Sequence, residues 1–263
     1  MAEQTPAAEF EDISSARFDN PTRIDNKWLP LKPGTQFIYM GTVTEDGETI
    51  PFRLEFTVTD LIKEIAGVDT VVAWILDYSD GELVEKEISF YAQDNDGNVW
   101  YLGEHPAEYE DGNFVTAPTW IHGFADAQAG IIMTAKPEVG SPSFSQGWSP
   151  SVDFMDRGQV AEMGQETCVF TDCYKDVLIV EEFTLQEPGM FQLKYYAPGV
   201  GNVRVGWKGS DESQEELELV DIIQLDPEAM AQIREAALQL EKEANEFSPD
   251  IYGRTTPMST SNN

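Results

Sequence analysis

Four Asp-Gly dipeptides, Asp46-Gly47, Asp80-Gly81, Asp96-Gly97 and Asp111-Gly112, punctuate the first half of this chain. Asp-Gly readily supplies the two successive positive φ angles of a tight hairpin turn. The runs between these turns alternate in strand rhythm: Phe52, Leu54, Phe56 and Val58 interleave with Arg53, Glu55, Thr57 and Thr59. Phe37, Tyr39 and Val43 keep the two-residue period, as do Phe191, Leu193 and Tyr195, and Leu217 with Leu219. Hairpin turns between half-buried strands predict an antiparallel meander. With so many aromatic residues on inner faces, such a meander curls on itself. The expected fold class is therefore all-β, a curved antiparallel meander or open barrel.

One segment breaks the rhythm as a helix. Asp226 is placed to cap it, Pro227 to fill its first turn, and Met230, Ile233, Ala237, Leu240, Ala244 and Phe247 recur at three and four residues. The apolar stripe predicts a helix over 227–247 lying against the sheet or across a barrel end. A partner-binding helix is the alternative. Residues 1–17 and 248–263 read as flexible tails around a single β-rich domain at 18–247. Residues 103–150, with six Gly and five Pro, read as a folded loop region over one side of the sheet.

Charge narrows the functional classes. Forty-eight acidic against 16 basic side chains leave a net charge of −32, which repels nucleic acids and anionic lipid surfaces. No apolar run is long enough for a membrane helix. The expectation is an acidic protein with a small-molecule partner, no nucleic acid and no membrane insertion. Oligomeric state is not readable. Twelve acids and two bases fall between Gly209 and Phe247. Self-repulsion on this scale suits a halophilic setting, where salt screens it, or a surface that is merely well solvated.

Cys168 and Cys173 bracket four residues, which suits neither a four-ligand zinc site nor a redox motif. Across a tight hairpin they would pair as a disulfide. A disulfide implies an exported protein, extracellular or periplasmic, although the chain shows no signal peptide after Met1. A cytoplasmic home in a high-salt organism is the alternative.

The chain holds no G-x-S-x-G elbow and no phosphate loop. Asp94-Asn95-Asp96-Gly97-Asn98 starts like a calcium loop, but His105 stands where the bidentate Glu belongs, so a hairpin turn explains it. Glu104, His105, His122 and Asp126 are the candidate metal ligands, since two imidazoles and carboxylates suit a divalent ion with an open position. Glu104, His122, Asp153 and Glu182 are candidate catalytic groups. Trp100, Tyr101, Trp120, Trp148, Tyr195 and Tyr196 could line a ligand-binding or sugar-binding cleft.

Three stretches resemble a known family: Asn20 to Gly34, Phe90 to Glu104, and Lys194 to Arg204. They are similar to an uncharacterised family of bacterial, often actinobacterial, exported β-rich proteins. That resemblance implies a β-rich fold and export, and it carries no activity, cofactor or catalytic residue. Two functions follow as expectations. The first is a non-catalytic extracytoplasmic protein that binds an apolar or aromatic small molecule in its concave face. The second is a hydrolase with a metal or carboxylate site in the 103–150 region.

Overall fold

The computed structural model describes residues 10–45 and 47–260. Its strands are β1 (Thr35–Glu45), β2 (Glu48–Ile65), β3 (Val68–Ser79), β4 (Glu82–Gln93) and β5 (Val99–Glu110). Short strands β6 (Asn113–Thr116), β7 (Trp120–Ile121), β8 (Gln128–Met133), β9 (Phe144–Ser145) and β10 (Gly147–Trp148) follow. The second half holds β11 (Asp156–Cys168), β12 (Cys173–Thr184), β13 (Met190–Ala197), β14 (Gly201–Gly209) and β15 (Glu216–Gln224). Helix α1 (Pro227–Phe247) and a terminal β16 (Ser259–Thr260) complete the chain.

These strands join one antiparallel sheet in the order β10-β8-β5-β4-β3-β2-β1-β15-β14-β13-β12-β11-β9, with β6 and β7 pairing with β5 and β16 with β2 off this path. Its two ends, β9 and β10, are neighbours in the chain. β9 pairs with β11 and β10 pairs with β8, so residues 144–148 bridge the gap between the sheet's edges. The result is an open barrel with one seam between β9 and β10. The 103–150 region is thus a source of short strands and of the seam, rather than a loop cover. Gly103 itself lies in mid-strand in β5.

Two of the four Asp-Gly turns take the expected paired conformation, whereas at Asp96-Gly97 only Gly97 has a positive φ, of 93°. Asp80-Gly81 and Asp111-Gly112 hold paired positive φ angles of 48° and 83°, and 50° and 74°. Ala66-Gly67 forms a third such turn without an Asp. Asp46 lies outside the described residues, with Glu45 and Glu48 paired on either side of it. Asp94 anchors the β4–β5 connection: its carboxylate accepts from the Asn98 backbone and side chain at 2.8 and 2.9 Å and from Trp100 Nε1 at 2.7 Å. That carboxylate is fully used by its own turn.

The sheet has two apolar faces. The inner one carries Phe37, Tyr39, Val58, Tyr91, Val205 and Leu217. The outer face of β2–β5 carries Leu61, Trp74, Ile88, Phe90 and Leu102, and α1 covers it with Ala237, Leu240 and Ala244. Asp226 Oδ1 caps the helix by accepting from the Glu228 and Ala229 amides at 3.0 and 2.8 Å. β2 feeds both cores by simple alternation: Leu54, Phe56 and Val58 face inward while Leu61 and Ile65 face outward, with a register shift between Val58 and Ile62.

Residues 249–260, a tail by composition, pack firmly. Tyr252 is fully buried, Met258 is buried, and β16 pairs with β2. The anchor is Glu241, an acid on the apolar stripe of α1. It accepts from Lys63 Nζ at 2.9 Å and from the Met258 amide at 2.9 Å.

The other end of the chain closes the barrel. Ile24, Trp28 and Leu31 are buried in the inner core, in a segment that precedes β1. Asn26 holds this plug by donating to the Gly97 carbonyl and accepting from the Trp28 and Leu29 amides. Gln93 accepts from the Asp25 and Asn26 amides, and the Gly199 amide donates to the Lys27 carbonyl. The three stretches that carry the family resemblance therefore meet at one barrel end.

Candidate functional site: the barrel lumen

Inside the barrel lies a cavity of about 350 Å³. Its apolar wall comes from Leu29 and Leu31 of the plug, Phe37 of β1, Leu54 and Phe56 of β2, and Val205 and Leu217 across the barrel. The two-residue period of each strand turns these residues inward. Tyr91 and Tyr101 stack at 4.9 Å between ring centroids along one side.

The remaining wall is acidic. Glu87, Glu104, Asp156 and Glu182 line the same cavity, with Lys194 on the strand beside Glu182. Asp77 and Glu85 extend this belt, since they share the inward face of β3 and β4 with Ile75 and Glu87. A smaller cavity of about 180 Å³ shares Asp156 and Glu182 and is edged by Glu187, Met190 and Phe191. The acidic end is thus the end continued by a second, more open space.

Glu104 reaches the lumen through a backbone device. Phe90 pairs with Gly103 but Tyr91 pairs with Tyr101, a bulge that leaves Leu102 unopposed. Tyr101 and Glu104, three apart, consequently face the same side. Gly103 has φ +147°, and a Cβ there would lie 2.5 Å from the Trp120 carbonyl oxygen. Only glycine fits. Tyr101 then donates its hydroxyl to Glu104 Oε2, and Trp120 Nε1 donates to Oε1 at 2.9 Å.

Burial in this lumen disfavours charge. It pushes Glu104 up to about 7, against the pull of the Tyr101 and Trp120 hydrogen bonds. Burial, with the neighbouring Glu182, raises Asp156 to about 6. Asp77 rises to about 8 through burial and then through Glu85 and Glu215. Glu87 is held well above the usual carboxylate range by burial, then by Glu104 and Glu85.

The sequence candidates distribute unevenly. Tyr101 and Tyr196 line the lumen, and Trp120 stands behind Glu104, stacked on Phe154 at 4.8 Å. Trp100 belongs to the outer core beneath α1, with its indole committed to Asp94. Trp148 is at the seam, against Phe10. Tyr195 points away from the lumen, beneath the Arg204 guanidinium.

The proposed metal quartet does not assemble. Glu104 faces inward, whereas His105 faces the outer core, with Nδ1 2.6 Å from Thr119 Oγ1. Burial lowers His105 to about 4. His122 Nδ1 accepts from the Ala129 amide at 3.1 Å, which uses that nitrogen. Asp126 is an exposed turn residue with φ 64°. Among the described residues no three His, Cys, Asp or Glu side chains group as a metal site. Asp153 is exposed in a left-handed turn, while Glu182 is in the lumen and accepts from Gln146 Nε2 at 2.6 Å.

Sequence reading overlooked Glu87, Asp156, Asp77 and Lys194. One signal was present: Glu85, Glu87, Ser89 and Tyr91 keep strict alternation, so an inward Tyr91 implies inward acids.

No family model matches this chain, and no curated protein matches it. Among solved structures, a Bacteroides fragilis protein described as exported and of YmcC-like fold aligns with TM-score 0.44 and 15% identity, over 75% of this chain and 99% of its own. A Parabacteroides distasonis protein described as a lipoprotein aligns with TM-score 0.44 and 13% identity, over 76% and 100%. Neither source is an actinobacterium. Likenesses this distant transfer no activity.

Proposed function

We propose that the protein is a non-catalytic binder that holds one small, largely apolar molecule in the barrel lumen. The observation that carries this reading is the lumen cavity of about 350 Å³, walled by Leu, Phe, Tyr and Val side chains with a few convergent polar groups. Ligand sites generally have that size and composition. The cysteine pair supports work outside the cytoplasm, because disulfides persist in oxidising compartments.

Fluorescence of N-phenyl-1-naphthylamine tests the reading. The probe should brighten and saturate near one molecule per chain, and Val205→Trp, which fills the lumen, should abolish the signal in a protein with unchanged circular dichroism. A signal without saturation, or one indifferent to Val205→Trp, refutes the lumen as the site.

A further inference from the structure

The lumen pairs an apolar wall with a belt of acids drawn from many strands. Asp77 comes from β3, Glu87 from β4, Glu104 from β5, Asp156 from β11 and Glu182 from β12. Lys194 is the cation that faces them, and among the described residues it makes no ion pair within 4 Å. Acidic groups therefore outnumber basic ones inside a space that also shelters aromatic and aliphatic side chains.

The belt is under-used as well as uncompensated. Ser89, fully buried, sits between Glu87 and Tyr91 on the lumen face of β4 and interacts with both. Asp77 Oδ1 is buried and has no hydrogen-bond partner. The Asp156 carboxylate accepts no hydrogen bond among the described residues, although it lines the cavity. Native interiors rarely leave a buried polar atom such as Asp77 Oδ1 without a partner, and one that remains calls for an explanation.

Resting on the lumen-binding reading above, we infer that the ligand is an amphipathic organic cation. Its ammonium head lies at the belt of Glu87, Glu104 and Asp156, and its apolar body lies against Phe56, Val205 and Leu217. A cation relieves the mutual repulsion of the acids and offers N–H or polarised C–H groups to oxygens that lack donors. The stacked Tyr91 and Tyr101 rings add faces that attract such a head. An anionic head would need the belt to protonate almost completely. The raised proton affinities of Glu104 and Asp156 agree with a site whose missing partner is positive.

Three octyl probes of equal tail separate the possibilities by isothermal titration at pH 8 and fixed ionic strength. Octyltrimethylammonium is expected to bind about tenfold or more tightly than octanol, and octanoate more weakly than octanol. Saturating octanol should displace the cation, which places both in the lumen rather than on the acidic surface. Glu104→Gln with Asp156→Asn should lower cation affinity about tenfold more than it lowers octanol affinity. Retained octanol binding also shows that this variant folds. If octanol or octanoate matches the cation, or the cation resists displacement, the charge inference fails while lumen binding stands. If no octyl probe binds, the lumen reading itself fails.

Discussion

Single residues set the geometry of the lumen. Gly103→Ala would place a methyl group 2.5 Å from the Trp120 carbonyl oxygen at a backbone angle that L residues avoid. The expected cost is about 3 kcal/mol, measured by urea unfolding, together with weakened lumen binding as Glu104 turns away. A loss below 0.5 kcal/mol would mean the bulge is easily rearranged. The Cys168–Cys173 disulfide closes a ring of few residues at the paired ends of β11 and β12. Replacing both cysteines by serine should cost about 2 kcal/mol and preserve the fold, since chain entropy gained from so short a loop is modest.

Among the elements, α1 and the segment after it depend on one buried ion pair. Lys63 has no exposed side-chain surface and Glu241 almost none. Glu241→Ala would strand the Lys63 ammonium and remove the acceptor of the Met258 amide, so a loss of about 3–5 kcal/mol is expected. Lys63→Met with Glu241→Leu should recover most of it, because the desolvation of both charges is then avoided. Failure of the pair to recover would shift the credit to the Met258 amide.

The helix was legible in full from Asp226, Pro227 and the apolar stripe, and the hairpins from Asp-Gly. What the sequence could not display was which face of each strand becomes the inside. In β13 the apolar set Leu193 and Tyr195 looked like the core, yet Lys194 and Tyr196 face the lumen. Alternation reveals that a strand has two faces, and only closure of the barrel assigns them. The bulge at Gly103 adds the same difficulty for Tyr101 and Glu104. Glu241 and the packed residues 249–260 were hidden because their burial depends on a partner, Lys63, 178 positions away.

For the whole molecule, two electrostatic effects coexist and can be separated. The net charge of −32 comes mainly from exposed carboxylates, so molar NaCl should raise the melting temperature by screening self-repulsion. A flat salt response would reduce the acidity to ordinary solvation. The belt acids lie inside, where salt screens less, and they answer to pH. Glu104, at about 7, and Asp77, at about 8, bind protons more tightly folded than unfolded. Such groups contribute stability that is complete below the unfolded value near 4 and is lost as pH rises through the folded value. His105 has the opposite sign: lowered by burial to about 4, it contributes stability that is lost as pH falls below 6.5. The window from pH 6.5 to 8.5 therefore isolates the belt. Across it the melting temperature should fall by about 5–10 °C in the ligand-free protein, a loss of about 2–3 kcal/mol at 2–4 °C each. The drop should persist in 1 M NaCl and flatten in Asp77→Asn with Glu104→Gln. A drop that salt removes would belong to the surface instead, and the belt would then be solvated rather than buried.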